Sequence, residues 1–426
     1  MAADVDASVI ETLQKQIQAL TEEVERLKEG PVSAEDAKAL LGEDFLKQKG
    51  LTIGFYGEAK YRFPEAGNDT FDPHRFVLTP SYQLADWLVF NSELEFEHGG
   101  LDEVAGTTGS GSSRSRFDGE IEIEQFYVDI LLNPHFNIRS LGIDLVPVGR
   151  INKYHEPTVF YSTERPELYR EIIPSTWFEP SMGAFGQITE TLDYQVMVST
   201  GLEDFISGST APGITAGNGM RAARPRYRQA DEENLAYTGR IHYHGVPGLD
   251  ASTSAYATKV RGFNEGESVL ILVDVEAAYR VPRTGLELRG EFAYWFINDP
   301  QNLIANNNAA TSDDVGDHMY GWYVEAAYHL WQHTPESWRQ GRGAKMDLVP
   351  FIRYTEIVTQ AGLAPTSSRL DTGATNKEFL TAGLAWFLSP NFVVKGDWRR
   401  NLNGGRAVET SAANQDYFQM GVGVVF

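Results

Sequence analysis

From Leu51 to Phe426 apolar and polar side chains take turns along the chain, in segments of roughly ten residues, the period of β-strands. The last segment is the clearest: Phe418, Met420, Val422, Val424 and Phe426 share one face, and Gln419, Gly421, Gly423 and Val425 the other. In the first, Ile53, Phe55, Gly57, Ala59 and Tyr61 oppose Tyr56, Glu58, Lys60 and Arg62. An apolar face backed by a small or ionic one suits a wall with hydrocarbon outside and water inside. Turn-forming residues break the alternation at Ala85-Asp86, Asn133-Pro134, Glu190-Thr191, Val246-Pro247-Gly248, Pro282-Arg283-Thr284 and Ser389-Pro390, with a longer break from His333 to Lys345. Between these lie Gly-, Asn- and Ser-rich stretches. Seven short turns and eight long loops predict an all-β fold, a sixteen-stranded antiparallel transmembrane β-barrel over 51–426 with both ends on the short-turn side.

The phase of the alternation assigns the inner wall. A row of carboxylates cannot face hydrocarbon. Glu93, Glu95 and Glu97 therefore point inward opposite Leu94 and Phe96, and Glu120, Glu122 and Glu124 inward opposite Ile121 and Ile123. The same logic places Arg240, His242 and His244 inside, with Glu287, Arg289 and Glu291, and with Lys395, Asp397 and Arg399. Gln125 to Asp129 shifts phase, the mark of a bulge. Mixed charge on so many strands predicts a hydrated lumen and leaves no dry core.

Before the barrel the period changes. Ile10, Leu13, Ile17, Leu20, Val24 and Leu27 recur at spacings of three and four behind a Ser8/Glu11 capping box, and Gly30-Pro31 closes the run. Residues 1–30 thus read as an α-helical coiled coil, self-associating or reaching a periplasmic partner. Residues 31–50 read as a short helix from Ser33, with Leu40, Leu41, Phe45 and Leu46 on its apolar side, and a linker. The start Met1-Ala2-Ala3-Asp4 has neither the charged nor the apolar region of a signal peptide, as expected of a mature chain.

Composition narrows the chemistry. Cysteine is absent, which removes disulfides, thiol catalysis and thiolate metal sites. Aromatics at 12% and 40 glycines fit interfacial girdles and close strands. A formal charge of −23 argues against nucleic acid as partner. The Arg221, Arg224, Arg226, Arg228 cluster is followed by Asp231, Glu232 and Glu233, so it reads as ion-paired loop charge or a contact with lipopolysaccharide ahead of an anion-collecting vestibule. His242 and His244 share a face, but two ligands are not a metal site and sequence names no third. Asp313, Asp314, Asp317 and His318, in an Asn-rich stretch, read as solvated loop groups ahead of a divalent-ion site. No nucleophile, base and orienting group stand together, so no enzyme, cofactor or resident metal is expected.

The segment from Val148-Gly149-Arg150-Ile151-Asn152-Lys153-Tyr154-His155-Glu156-Pro157 to Ile172-Ile173-Pro174-Ser175-Thr176-Trp177 resembles the constriction-loop region of the porin O and P family, the phosphate-selective porins and their relatives. Glu93 to Gly99 and Glu122 to Gln125 are similar to the same family. The resemblance implies an outer-membrane homotrimer of such barrels, in contact with lipid and lipopolysaccharide, each with its third long loop in a water-filled channel for small hydrophilic solutes. The loop 149–176 then forms the constriction through Arg150, Lys153, His155, Glu156, Glu164, Arg165 and Arg170, about half of its charges pairing with the wall. The lumen acids Glu58, Glu93, Glu95, Glu97, Glu120, Glu122, Glu124, Glu276 and Glu291 outnumber bases such as Lys60, Arg62, Arg240, Arg289, Lys395 and Arg399. That excess departs from phosphate selectivity and predicts a weak cation preference. The alternatives are a specific phosphate or carboxylate channel and a structural barrel that anchors a partner protein.

Overall fold

A computed structural model describes residues 50–65, 67–99, 119–202, 214, 219–225, 234–261, 266–303, 315–363, 376–403 and 416–426. The coiled-coil prediction for residues 1–30 and the helix predicted after Ser33 lie outside them. Sixteen strands run from β1 (Leu51–Pro64) to β16 (Tyr417–Val425), each antiparallel to its neighbours, and the sheet closes where β1 pairs with β16. The seam extends to the last residue: Phe426 exchanges backbone hydrogen bonds with Phe55 at 2.7 and 3.1 Å, and their rings stack at 5.4 Å. All seven predicted short turns join consecutive strands at one end. Closure leaves no strand edge, a condition for a sheet to stand in hydrocarbon.

The outer face follows from the sequence pattern. Tyr237, Val275, Phe296, Val324 and Ile352 are half or more exposed, and Phe418, Met420 and Val422 nearly so. Such a contiguous apolar surface suits lipid and would associate in water. The predicted phase shift in β4 (Ile121–Asn133) is a register break. Glu93 lies opposite Gln125 and Leu94 opposite Ile123, so Glu124 is the extra residue and Phe126 returns outward.

The interior differs from a wholly hydrated lumen. Inward side chains of β9 (Leu249–Arg261), β10 (Glu267–Arg280), β11 (Leu286–Ile297) and β12 (Gly316–Tyr328), among them Tyr256, Leu270, Leu272, Trp295 and Met319, are fully buried. They form one apolar core with Ile151, Phe160, Leu168, Tyr169, Ile172, Ile173 and Trp177 from the connection between β5 (Phe136–Leu145) and β6 (Phe178–Thr189). A dry core coexists with ionic walls because the chain supplies its own apolar filling for one side of the cylinder.

Candidate functional site: the loop inside the barrel

The 146–177 connection leaves the wall and returns to it at one point. Val146 N–H donates to the Trp177 carbonyl at 2.9 Å. Buried Asn152 clamps both ends, its Nδ2 donating to the Val146 carbonyl at 2.8 Å and its Oδ1 accepting from Trp177 N–H at 2.7 Å. Two short helices, α1 (Arg150–Lys153) and α2 (Leu168–Glu171), lie along the loop. Gly149 precedes α1 at φ 70°, and a Cβ there would sit 2.7 Å from the Tyr169 ring and 3.0 Å from Glu291 Oε1, so a side chain is refused both by conformation and by space. The Tyr169 hydroxyl accepts from Ile151 N–H at 3.0 Å and donates to Glu291 on β11, tying both helices to the wall.

The 155–167 stretch is held by charge. Four wall cations donate to it: Arg75 to the His155 carbonyl at 2.6 Å, Arg289 to the Val159 carbonyl at 2.8 Å, Lys395 to the Ser162 carbonyl at 3.0 Å, and Arg353 to Ser162 Oγ at 2.6 Å. Asp397 accepts from Thr163 N–H at 2.6 Å. Backbone carbonyls that would otherwise be buried unpaired are thus satisfied by guanidinium and ammonium groups. The small inner face of β16 makes room. A Cβ on Gly423 would come within 2.5 Å of Pro157.

Of the constriction residues expected from sequence, several are anchored. His155 is buried, its Nε2 2.7 Å from the Tyr56 hydroxyl and 3.4 Å from Glu124, its Nδ1 3.1 Å from the Asn152 carbonyl. Burial would lower the imidazole, but Glu124 and Glu93 outweigh it and hold its pKa at about 9. Protonated, it donates through Nε2 to Tyr56, whose hydroxyl donates to Glu93 at 2.6 Å. Glu164 meets Lys60 at 2.8 Å and Arg62 at 2.6 Å. Burial would raise its carboxyl, yet these two cations hold it well below the usual range. Glu171, also in the loop, pairs with Lys377 at 2.7 Å, and Glu167 lies 3.5 Å from Arg399.

The others, Arg150 excepted, line two cavities, one on each side of the loop. The cavity toward the short turns, about 620 Å³, is lined by Lys153, Tyr154, Glu156, Arg139, Asp144, Gln195 and Arg240 among others. Lys153 Nζ donates to Gln195 at 2.9 Å, and burial together with the Arg240 guanidinium pushes its ammonium down to about 8. The cavity toward the long loops, about 590 Å³, is lined by Arg165, exposed Arg170, Arg221, Glu58, Lys60, Arg62, Glu97, Glu164 and Arg399. Arg150 uses its backbone N–H, donating to Glu276 at 2.6 Å. Arg224 donates to the Thr176 carbonyl, while Arg226, Arg228 and residues 231–233 lie outside the described residues, as do Asp313 and Asp314.

The inner-wall acids do not form an open field. Glu93, Glu95, Glu124, Glu276 and Glu291 are all buried, packed with Arg75, which lies 2.8 Å from Glu58 and 3.5 Å from Glu95, and with Arg240, which pairs with Glu276. Sequence phase places these groups inward, but only packing decides whether inward means toward water.

No protein-family model matches the chain. An uncharacterized protein of Aquifex aeolicus (strain VF5) is 29% identical over 366 residues, 83% of this chain and 76% of that one. Among solved structures, Salmonella typhi OmpF in complex with daunomycin aligns at TM-score 0.53 and 12% identity, over 89% of this chain and 99% of that one. The outer membrane channel DcaP of Acinetobacter baumannii aligns at TM-score 0.51 and 11% identity, over 88% and 97%. OmpT of Vibrio cholerae, an outer membrane protein in its trimer form, aligns at 0.50 and 9%, over 88% and 99%. The fold is that of outer-membrane porins. Identities this low carry the architecture and leave the solute to be argued from the chain's own residues.

Proposed function

We propose that this barrel stands in a bacterial outer membrane and forms a channel for passive diffusion of ions and small hydrophilic solutes, with the loop 149–176 as its constriction. The observation that carries the reading is the pair of polar-lined cavities, about 620 and 590 Å³, on opposite sides of a loop fastened inside a closed, lipid-compatible cylinder. A plug made only to anchor a partner would have no need of charged cavities on both sides. Three such chains assemble side by side, as the trimer form of OmpT suggests.

Charge selectivity is weak in this reading. The cation preference expected from the acid count loses its footing, because five of the nine carboxylates are buried beside wall cations or in the core. The cavity toward the long loops presents Lys60, Arg62, Arg165, Arg170, Arg221 and Arg399 against Glu58, Asp72, Glu97, Glu164 and Glu167, close to balance. Planar-bilayer recording tests both parts. Conductance should rise in proportion to bulk salt with a reversal potential near zero in a salt gradient. Saturation by one solute would make the channel specific, and an absence of conductance would leave a structural barrel.

A further inference from the structure

We propose that Asp193, His242 and His244 form a binding site for a divalent transition-metal ion at the short-turn end of the lumen, with Asp250 orienting His242 from behind. Four groups of three or more metal-ligating side chains occur among the described residues. In three of them a protein cation already stands beside a carboxylate: Lys60 is 4.0 Å from Asp72 in the Asp72, His74, His98 group, Arg240 pairs with Glu276 in the Asp274, Glu276, Glu291 group, and the imidazole of His155, with its pKa near 9, is itself the cation between Glu93 and Glu124. Around Asp193 and Asp250 the described ion pairs involve only His242 and His244, with no Lys or Arg among them.

The geometry is set by three adjacent strands. Asp193 on β7 (Leu192–Thr200) lies directly opposite His242 on β8 (Leu235–Tyr243). His244, just past the end of β8, is pinned by its backbone N–H to the Thr191 carbonyl at 3.0 Å, and the two imidazoles lie 5.4 Å apart. Asp193 Oδ2 is 3.2 Å from His244 Nε2 and 3.5 Å from His242 Nδ1. Ligands about 2.1 Å from a tetrahedral centre sit about 3.4 Å from one another; the two separations from Asp193 match that spacing, and all three ligand atoms lie within 4.8 Å of one another. The remaining nitrogen of His242, Nε2, is 3.2 Å from Asp250 Oδ1 on β9. That is the carboxylate–imidazole arrangement that fixes the tautomer of a metal-bound histidine. Two imidazoles and one carboxylate suit Zn²⁺, Cu²⁺ or Ni²⁺ rather than Ca²⁺ or Mg²⁺. Asp193, His242 and Asp250 line the cavity toward the short turns, which leaves further coordination positions to water.

Titration of the intact, chelator-stripped chain in detergent with Zn²⁺, followed by calorimetry, tests the site. The parent should bind one equivalent that H242Q/H244Q loses and H74Q/H98Q keeps, while D250N weakens it about tenfold. These side chains stand at the partly exposed mouth of the lumen, so the far-UV spectrum of each variant should match the parent and serve as the folding control. A parent that binds no Zn²⁺, an equivalent that survives H242Q/H244Q, or an affinity unmoved by D250N would overturn the proposal.

Discussion

The two sides of the lumen hold the same loop by opposite means. Toward β9–β12 the loop end is embedded in apolar side chains: the Trp177 ring lies 4.7 Å from Tyr256 and 6.3 Å from Trp295, whose Nε1 donates to the Ile172 carbonyl at 2.8 Å. Toward β15 (Phe392–Asn401), β1 and β2 (Thr70–Ala85) it is embedded in charge, with Arg75 and Lys395 grasping loop carbonyls. Apolar burial on the dry side gives affinity without direction, and direction there comes from a few single bonds, among them Trp295 to the Ile172 carbonyl and Arg289 to the Val159 carbonyl. The ionic side gives direction, since each guanidinium must meet a particular carbonyl. A long loop folded into a closed barrel is fixed in position by the two together.

The comparison breaks if the dry side proves dispensable. Trp295→Ala leaves a cavity that surrounding wall residues cannot fill and removes the bond to Ile172. We expect a loss of about 3–5 kcal/mol in denaturant unfolding in detergent, the largest single effect. Arg75→Met leaves Glu58, Glu95 and the His155 carbonyl without their cation. Breaking one side of a buried ionic set costs about 3–5 kcal/mol. Here the cost should fall at the low end, because Glu58 lines the cavity toward the long loops and water can reach it. If Arg75→Met costs more than Trp295→Ala, charge and not the core carries the loop.

Legibility followed the same division. A barrel with an apolar outer face carries one chemistry on the outside of every strand, so Ile241, Leu288 and Trp398 disclose the phase, and with it the strand count, whatever lies inside. The inner face is under no such rule. The run Val269-Leu270-Ile271-Leu272-Val273 on β10 does not alternate at all, which is how a strand buried on both faces reads. That signal was available for the dry core, but periodicity alone cannot say that the filling comes from residues more than ninety positions earlier. Asp193 was hidden as a neighbour of His242 for a related reason. Their register depends on pairing across the long 201–234 connection, and nothing local specifies it. The small inner face of β16 was visible as glycines, while its purpose, space for Pro157 and its neighbours, was not.

The ionic side should respond to pH through His155. His155 is held at about 9 in the folded barrel against roughly 6.5 when unfolded. A raised pKa stabilises the fold fully below about pH 6.5 and loses that contribution as pH rises through 9. The effect is bounded at roughly 3 kcal/mol by the size of the shift. The thermal midpoint of the parent should fall between pH 6.5 and 9 relative to His155→Gln. A parent and variant that move in parallel would show that the imidazole is not the cation that fastens this segment.

Glu164 gives the smallest effect and the finest distinction. It joins Lys60 and Arg62 as His155 joins Glu124, but all three side chains border the cavity toward the long loops, with Glu164 28% and Arg62 31% exposed. Water there can replace much of what the ion pairs supply, so Glu164→Gln should cost roughly 1 kcal/mol or less, and less again at high salt. Its signature lies in permeation. Removing this carboxylate leaves Lys60 with the more distant Asp72 alone and Arg62 without its nearest partner, beside Arg165 and Arg170, so the reversal potential in a salt gradient should move toward anions while the unfolding midpoint hardly changes. A large loss of stability with no change in selectivity would place Glu164 with the buried anchors and shrink the water-facing part of the ionic side.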